Sequence, residues 1–183
     1  MLFLVVGPSG AGKDTLLDVA RRELAGDARF RFVRREITRP RAAGGEDHHA
    51  LDVASFCGRR DAGAYALHWE AHGLRYGIPA NIAADLQAGR VVVANVSRSV
   101  IEPAAQRFQV RVLEITAPPE VLAQRLGARG REGVAEIAAR LARSVALPPS
   151  VCVVTVVNDG TPEQGAARVL AELRRATTGA APK

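Results

Sequence analysis

The sequence predicts an α/β fold in which a parallel sheet of five strands is covered by helices on both faces. Three observations carry this expectation. Short apolar runs of buried-strand character alternate with amphipathic stretches along the chain. The first run passes at once into a glycine-rich turn that opens into an amphipathic stretch. One long segment, 38–89, loses the periodicity of the rest and reads as an insertion.

Taken in order, Leu2-Phe3-Leu4-Val5-Val6 is the first strand, and Gly7 to Lys13 is the turn. A helix starts at Asp14, supported by Leu16, Leu17, Val19, Ala20 and Leu24, and Gly26-Asp27 ends it. Phe30-Arg31-Phe32-Val33 alternates and reads as a strand. After the insertion, Val91 to Val96 and Val110 to Ile115 are apolar strand runs. Pro118-Pro119 opens a helix with Val121, Leu122 and Leu126, since proline is tolerated in a first turn. Residues 127–133 form a glycine- and arginine-rich loop, followed by a helix carrying Val134, Ile137, Leu141 and Val145. Val151 to Val157 is the last strand. Thr161-Pro162-Glu163-Gln164 is a capping box, and the helix it opens carries Val169, Leu170 and Leu173. The tail from Thr177 to Lys183 is expected to fray. One domain is expected, with a core of 1–37 and 90–176, an insertion of 38–89 and a lid at about 127–133.

The turn carries chemistry. Gly7-Pro8-Ser9-Gly10-Ala11-Gly12-Lys13 is G-x-x-x-x-G-K between a strand and a helix, the context that a phosphate-binding P-loop requires. Its glycines let backbone N–H groups approach phosphate oxygens, and the helix behind points its positive end at the same anion. Lys13 adds a point charge suited to β- and γ-phosphates, so ATP is the expected ligand. The next residue is normally Ser or Thr, whose hydroxyl ligates Mg²⁺. Here it is Asp14, followed by Thr15. Either can serve the metal, and Asp14 also suits a helix N-terminus.

Composition narrows the partners. The 183 residues carry a net charge of +6 with a pI near 10.3, which points to anionic ligands. The arginines are scattered beside glycines rather than blocked, which fits small phosphorylated ligands better than nucleic acid. No apolar run approaches the ~18 residues of a membrane span. The first run is too short for a signal peptide and lacks a basic leader. Cys57 and Cys152 have no metal-ligand spacing and read as reduced residues of a cytoplasmic protein.

The motifs run from Gly7–Thr15 through Thr38-Arg39-Pro40 and Gly45-Glu46 to Glu70–Gly77, then Arg129-Gly130-Arg131-Glu132, Arg140-Leu141 and Val157-Asn158-Asp159. This order resembles that of the guanylate kinases. The resemblance implies a P-loop kinase core with an acceptor-binding insertion and a lid. It implies that Arg39 and Tyr76 hold the acceptor phosphate, with His48 near another member of that set. It further implies that Arg129 and Arg140 stabilise the transferring phosphoryl group and that Asn158 lies by the adenine; Arg131 shares with Arg129 the glycine-rich loop, which is expected to close over ATP. At the places where guanylate kinases read guanine, however, this chain has Leu67 and Arg35. Leucine accepts no hydrogen bond, and polar recognition contacts of this kind discriminate by ~10⁴–10⁵.

A further set of residues is Gly7–Asp14, Ile37-Thr38-Arg39-Pro40, Gly44-Gly45-Glu46, His49-Ala50-Leu51, Ala66-Leu67 with Trp69, His72-Gly73-Leu74 with Tyr76-Gly77, and Asn95 with Ser97-Arg98. In these the chain is similar to the ribose 1,5-bisphosphate phosphokinases of phosphonate catabolism. This resemblance implies transfer of the γ-phosphoryl group of ATP to a phosphorylated pentose, giving 5-phosphoribosyl 1-diphosphate. Asn95 and Arg98, at a strand end, are candidate contacts for ribose or metal. Two readings compete. A guanylate kinase with a relaxed pocket has to explain Leu67, and a non-catalytic guanylate-kinase-like interaction module has to explain the intact Gly12-Lys13 and Arg39. Nucleic acid and membrane are not expected as partners.

Overall fold

A computed structural model describes residues 1–40, 46–127 and 147–178. The strands are β1 (Leu2–Val6), β2 (Phe30–Phe32), β3 (Glu36–Ile37), β4 (His49–Ala50), β5 (Tyr65–Ala71), β6 (Leu74–Pro79), β7 (Val91–Asn95), β8 (Val110–Thr116) and β9 (Cys152–Val157). The helices are α1 (Lys13–Glu23), α2 (Val53–Asp61), α3 (Ile82–Gln87), α4 (Ile101–Ala105), α5 (Pro119–Gly127) and α6 (Pro162–Thr178). The helix expected over 134–145, the arginines of the lid and the end of the tail lie outside the described residues.

The five strands read from the apolar runs form one parallel sheet in the order β2-β7-β1-β8-β9. Strand β1 is central and buried along its whole length. Its side chains alternate between two cores, as a pleat requires. Phe3 and Val5 pack with Leu16 and Ala20 of α1 and Val169 and Leu173 of α6. Leu2, Leu4 and Val6 pack on the other face with Ile82 of α3 and Ile101 and Ala104 of α4. The neighbours of β1 are reached by crossovers on either side, so a crevice opens at its carboxyl end, where α/β sheets bind ligands.

The segment without periodicity forms a second, four-stranded sheet in the order β4-β3-β6-β5, with β3 drawn from just ahead of Thr38. Strands β5 and β6 make a hairpin, with Ala71 paired to Leu74. Its two turn residues, His72 and Gly73, have φ of 52° and 71°, the positive pair that suits a right-twisted two-residue hairpin. Ile37, Leu67, Trp69, Tyr76 and Ile78 of this sheet join Leu2, Leu4, Val92 and Val112 of the first sheet in one apolar cluster. The capping box closes reciprocally: the Thr161 N–H donates to Gln164 Oε1 at 3.1 Å, and the Gln164 N–H donates to Thr161 Oγ1 at 3.3 Å.

Candidate active site

The turn after β1 is locked by sterics. Gly7 has a φ of 146°, and a Cβ there would lie 1.9 Å from the Ile115 carbonyl oxygen of β8. Gly12 caps α1 in the left-handed conformation, and a Cβ there would lie 2.5 Å from Asn158 Nδ2. No side chain caps α1. Its first N–H groups are left for an anion, and the helix dipole favours one there. Lys13 curls back over the turn, its Nζ donating to the carbonyls of Gly7 at 2.7 Å and Pro8 at 3.0 Å. Burial lowers the Lys13 ammonium pKa to about 8, partly offset by the neighbouring Asp14 carboxylate.

Asp14 and Thr15 stand exposed in the first turn of α1. Asn95, at the carboxyl end of β7, donates from its Nδ2 to Asp14 Oδ1 at 2.9 Å. No cluster of three His, Cys, Asp or Glu occurs among the described residues. A carboxylate, a hydroxyl and a neighbouring phosphate cradle are nonetheless the donors with which Mg²⁺ is ordinarily held, because it is bound by one or two carboxylates plus substrate phosphates. The residues present fit that ion.

Asn158 turns toward the loop rather than outward. It is 5% exposed, its Nδ2 donates to the Ala11 carbonyl at 2.8 Å, and its backbone N–H donates to Thr116 O at 2.7 Å. Arg98 bonds Glu114 of β8 at 2.6 Å, so it closes a strand-end ion pair.

The inserted segment faces this loop across an opening. Arg35 grips Glu46, with its Nε donating to Oε2 at 2.7 Å and its Nη2 donating to Oε1. Arg39 Nη2 lies 3.8 Å from the same Oε1. His48 is 3% exposed, with Nδ1 2.9 Å from the Glu46 carbonyl and Nε2 3.0 Å from the Arg39 carbonyl. It therefore clasps the two ends of the connection that carries Arg39 and Glu46. The Tyr76 ring stacks on Trp69 with centroids 5.2 Å apart and planes 5° apart. One opening is lined by Asp14, Asp18 and Asn95 on the loop side and by Arg35, Glu46 and Asp47 on the side of the second sheet.

The structure thus gathers Gly7, Pro8, Ser9, Gly10, Ala11, Gly12, Lys13, Asp14, Thr15, Asn95 and Asn158 at the crevice, with Tyr76 in the second sheet opposite and Arg39 and His48 beside its strands β3 and β4. Arg129, Arg131 and Arg140 lie outside the described residues. Sequence reasoning missed Arg125 of α5. Its Nη1 is buried with no hydrogen-bond partner among the described residues, and it lies 3.9 Å from where a Gly12 Cβ would stand. An arginine on the phosphate-loop side of a helix carries no local signature that could have singled it out.

A phosphate loop at the carboxyl end of a central parallel strand, with a lysine inside it and an arginine-bearing inserted sheet opposite, defines the class of P-loop phosphotransferases. The guanylate kinase of Anaplasma phagocytophilum superposes with a TM-score of 0.68 at 20% identity, over 96% of this chain and 84% of that one. No protein-family model matches the chain. It is 54% identical over 158 residues to the ribose 1,5-bisphosphate phosphokinase PhnN of Brucella melitensis, covering 85% of this chain and 82% of that protein. It is also 50% identical over 175 residues to a bifunctional ribose 1,5-bisphosphokinase-thymidine phosphorylase of Azorhizobium caulinodans. That match covers 94% of this chain but only 25% of the longer protein. The chain belongs to the ribose 1,5-bisphosphate phosphokinase family.

Proposed function

We propose that the chain transfers the γ-phosphoryl group of ATP to ribose 1,5-bisphosphate, yielding 5-phosphoribosyl 1-diphosphate and ADP. The observation that carries this is the pairing of a complete phosphate loop with an acceptor sheet that offers cations and no guanine reader. Leu67 is 4% exposed and packed in the apolar cluster, and Arg35 and Arg39 converge near the opening. The bond formed joins an oxygen of the acceptor 1-phosphate to Pγ, and the bond broken is Pγ–O to the β-phosphate. The acceptor oxygen is ionised near neutral pH, so no strong general base is required. Catalysis is then positioning and charge neutralisation.

In this reading Lys13 and the N–H groups of the loop hold the β- and γ-phosphates, and Asn158 keeps the loop in shape. Asp14 or Thr15 holds Mg²⁺, whose chemistry is to neutralise phosphate charge. Asn95 orients Asp14. Arg125 is added to the cations on the nucleotide side. Arg39, His48 and Tyr76 serve the acceptor phosphate, with His48 also holding the segment that carries Arg39, and Arg98, paired with Glu114, joins Asn95 as a contact for the ribose or the metal. Arg129, Arg131 and Arg140 supply lid charge, where a well-placed arginine is worth ~10³–10⁵ in rate.

The test is ADP release with Mg-ATP and a panel of ribose 1,5-bisphosphate, GMP, AMP and gluconate. Rapid release with the bisphosphate is expected. Release with GMP and none with the bisphosphate would overturn the proposal in favour of a guanylate kinase. Absence of ATP binding by calorimetry would point to a non-catalytic module.

A further inference from the structure

Two guanidinium groups share one carboxylate in the acceptor segment. Arg35 holds Glu46 with both arms of its fork, and Arg39 approaches the same oxygen at 3.8 Å. The Arg35 side chain is 12% exposed and that of Glu46 15%. The Arg35 guanidinium carbon lies 5.2 Å from the Tyr76 ring centroid and 5.9 Å from that of Trp69, so the stacked pair forms a shelf beneath it. A guanidinium fixed by aromatic faces loses less freedom on binding and presents a planar fork. That fork matches phosphate as well as carboxylate.

The other described arginines of this segment are engaged elsewhere. Arg59 bonds the Glu36 carboxylate, Arg75 bonds Glu70, and Arg34 bonds the exposed Asp47. Arg39 differs from Arg35 in being held loosely. Its Nε is buried without a hydrogen-bond partner among the described residues, and its closest carboxylate contact is the 3.8 Å one. Among the described arginines of this segment, Arg35 alone combines a rigid fork with a place on the opening shared with Asp14 and Asn95.

An acceptor with two phosphates brings two anionic ends into a partly desolvated site, and each needs its own partner. We propose that Arg35 is the specificity-determining residue for the second, non-reacting phosphate, and that Glu46 is the internal counter-ion which fills its fork until that phosphate arrives. Arg39 then serves the reacting end. The proposal rests on the bisphosphate kinase reading. It explains why a buried fork is kept beside a carboxylate rather than replaced by an apolar wall. It also gives the chain a means of preferring two phosphates over one.

The experiment compares ribose 1,5-bisphosphate with ribose 1-phosphate, which lacks the second phosphate, in the wild type, Arg35→Ala and Arg35→Lys. The wild type should strongly prefer the bisphosphate. Arg35→Ala should raise KM for the bisphosphate by ~10- to 100-fold, as for loss of charged hydrogen bonds. Its kcat should change little, and its KM for ribose 1-phosphate should stay as in the wild type. Arg35→Lys keeps the charge but not the fork, and should show a smaller rise confined to the bisphosphate. Equal losses on both acceptors, or a loss mainly in kcat, would overturn the proposal by showing that both arginines grip one phosphate or that Arg35 only props the fold. Unchanged KM in both variants would overturn it as well. A wild type inactive on the bisphosphate would instead sink the proposed function, and this inference with it.

Discussion

Lys13 shows what a phosphate loop demands of a single residue. Its ammonium is buried against two carbonyls of its own turn, and the loss of water pulls its pKa to about 8 from the ordinary 10.5. The folded state therefore carries the full desolvation cost below about pH 8, and that cost fades as pH rises from 8 toward 10.5. Lys13→Met should abolish turnover, by more than the ~10²–10³ lost with a single electrostatic contact. The same variant should melt higher at pH 7, at ~2–4 °C for each kcal/mol relieved, with the gap to the wild type narrowing above pH 8. Calorimetry at pH 7 and pH 9.5 checks this, and a lower melting temperature at pH 7 would contradict it. For the free enzyme, kcat/KM for ATP should fall as pH rises through about 8. Lys13 was legible because its motif is contiguous. The Arg35–Glu46 pair was not, because its partners are far apart in sequence and meet only when β3 and the segment before β4 come together.

At the scale of the element, the turn between β1 and α1 is a steric lock rather than a flexible tether. A Cβ at Gly7 would collide with β8 at 1.9 Å, and the residue also sits at a φ of 146°. Gly7→Ala should displace the turn, with ~1–3 kcal/mol of backbone strain and the clash added to it. The expected result is loss of ATP binding together with a lower melting temperature, read by calorimetric titration and thermal denaturation. Wild-type ATP affinity would show that the turn can yield. The parallel strands were readable because β1 and β7 are apolar runs buried almost throughout and β8 buries Val112, Leu113 and Ile115. Strands β3 and β4 were not. Each spans two residues, and Glu36 and His49 have no strand preference of their own. They are strands because β6 and each other supply partners. Glu36 is held there by Arg59 and by the Tyr65 hydroxyl at 2.7 Å, and burial beside that carboxylate pushes the Tyr65 pKa up to about 12.

Across the whole molecule, the acceptor sheet is not an appendage on a hinge. Leu2, Leu4 and Val112 of the first sheet share one apolar cluster with Ile37, Trp69 and Ile78 of the second. Ile78 is fully buried there, and Ile78→Ala should cost ~2–5 kcal/mol. That loss should lower the one unfolding transition of both sheets rather than release the acceptor sheet alone. A calorimetric enthalpy equal to the van't Hoff enthalpy, in wild type and variant alike, is the expected signature. Two separate transitions would show the sheets to be independent. The existence of the second sheet was hidden in the sequence because its apolar residues point into a core shared with the first sheet and with α3 and α4, so no stretch of the segment shows a complete core of its own. The same shared core has an optical consequence. The chain has one tryptophan, and it is Trp69, stacked on Tyr76 beneath the Arg35 guanidinium. The protein thus carries a single tryptophan beneath the Arg35 guanidinium, so changes of charge above it can be followed in real time as changes in emission excited selectively at the indole, without a label.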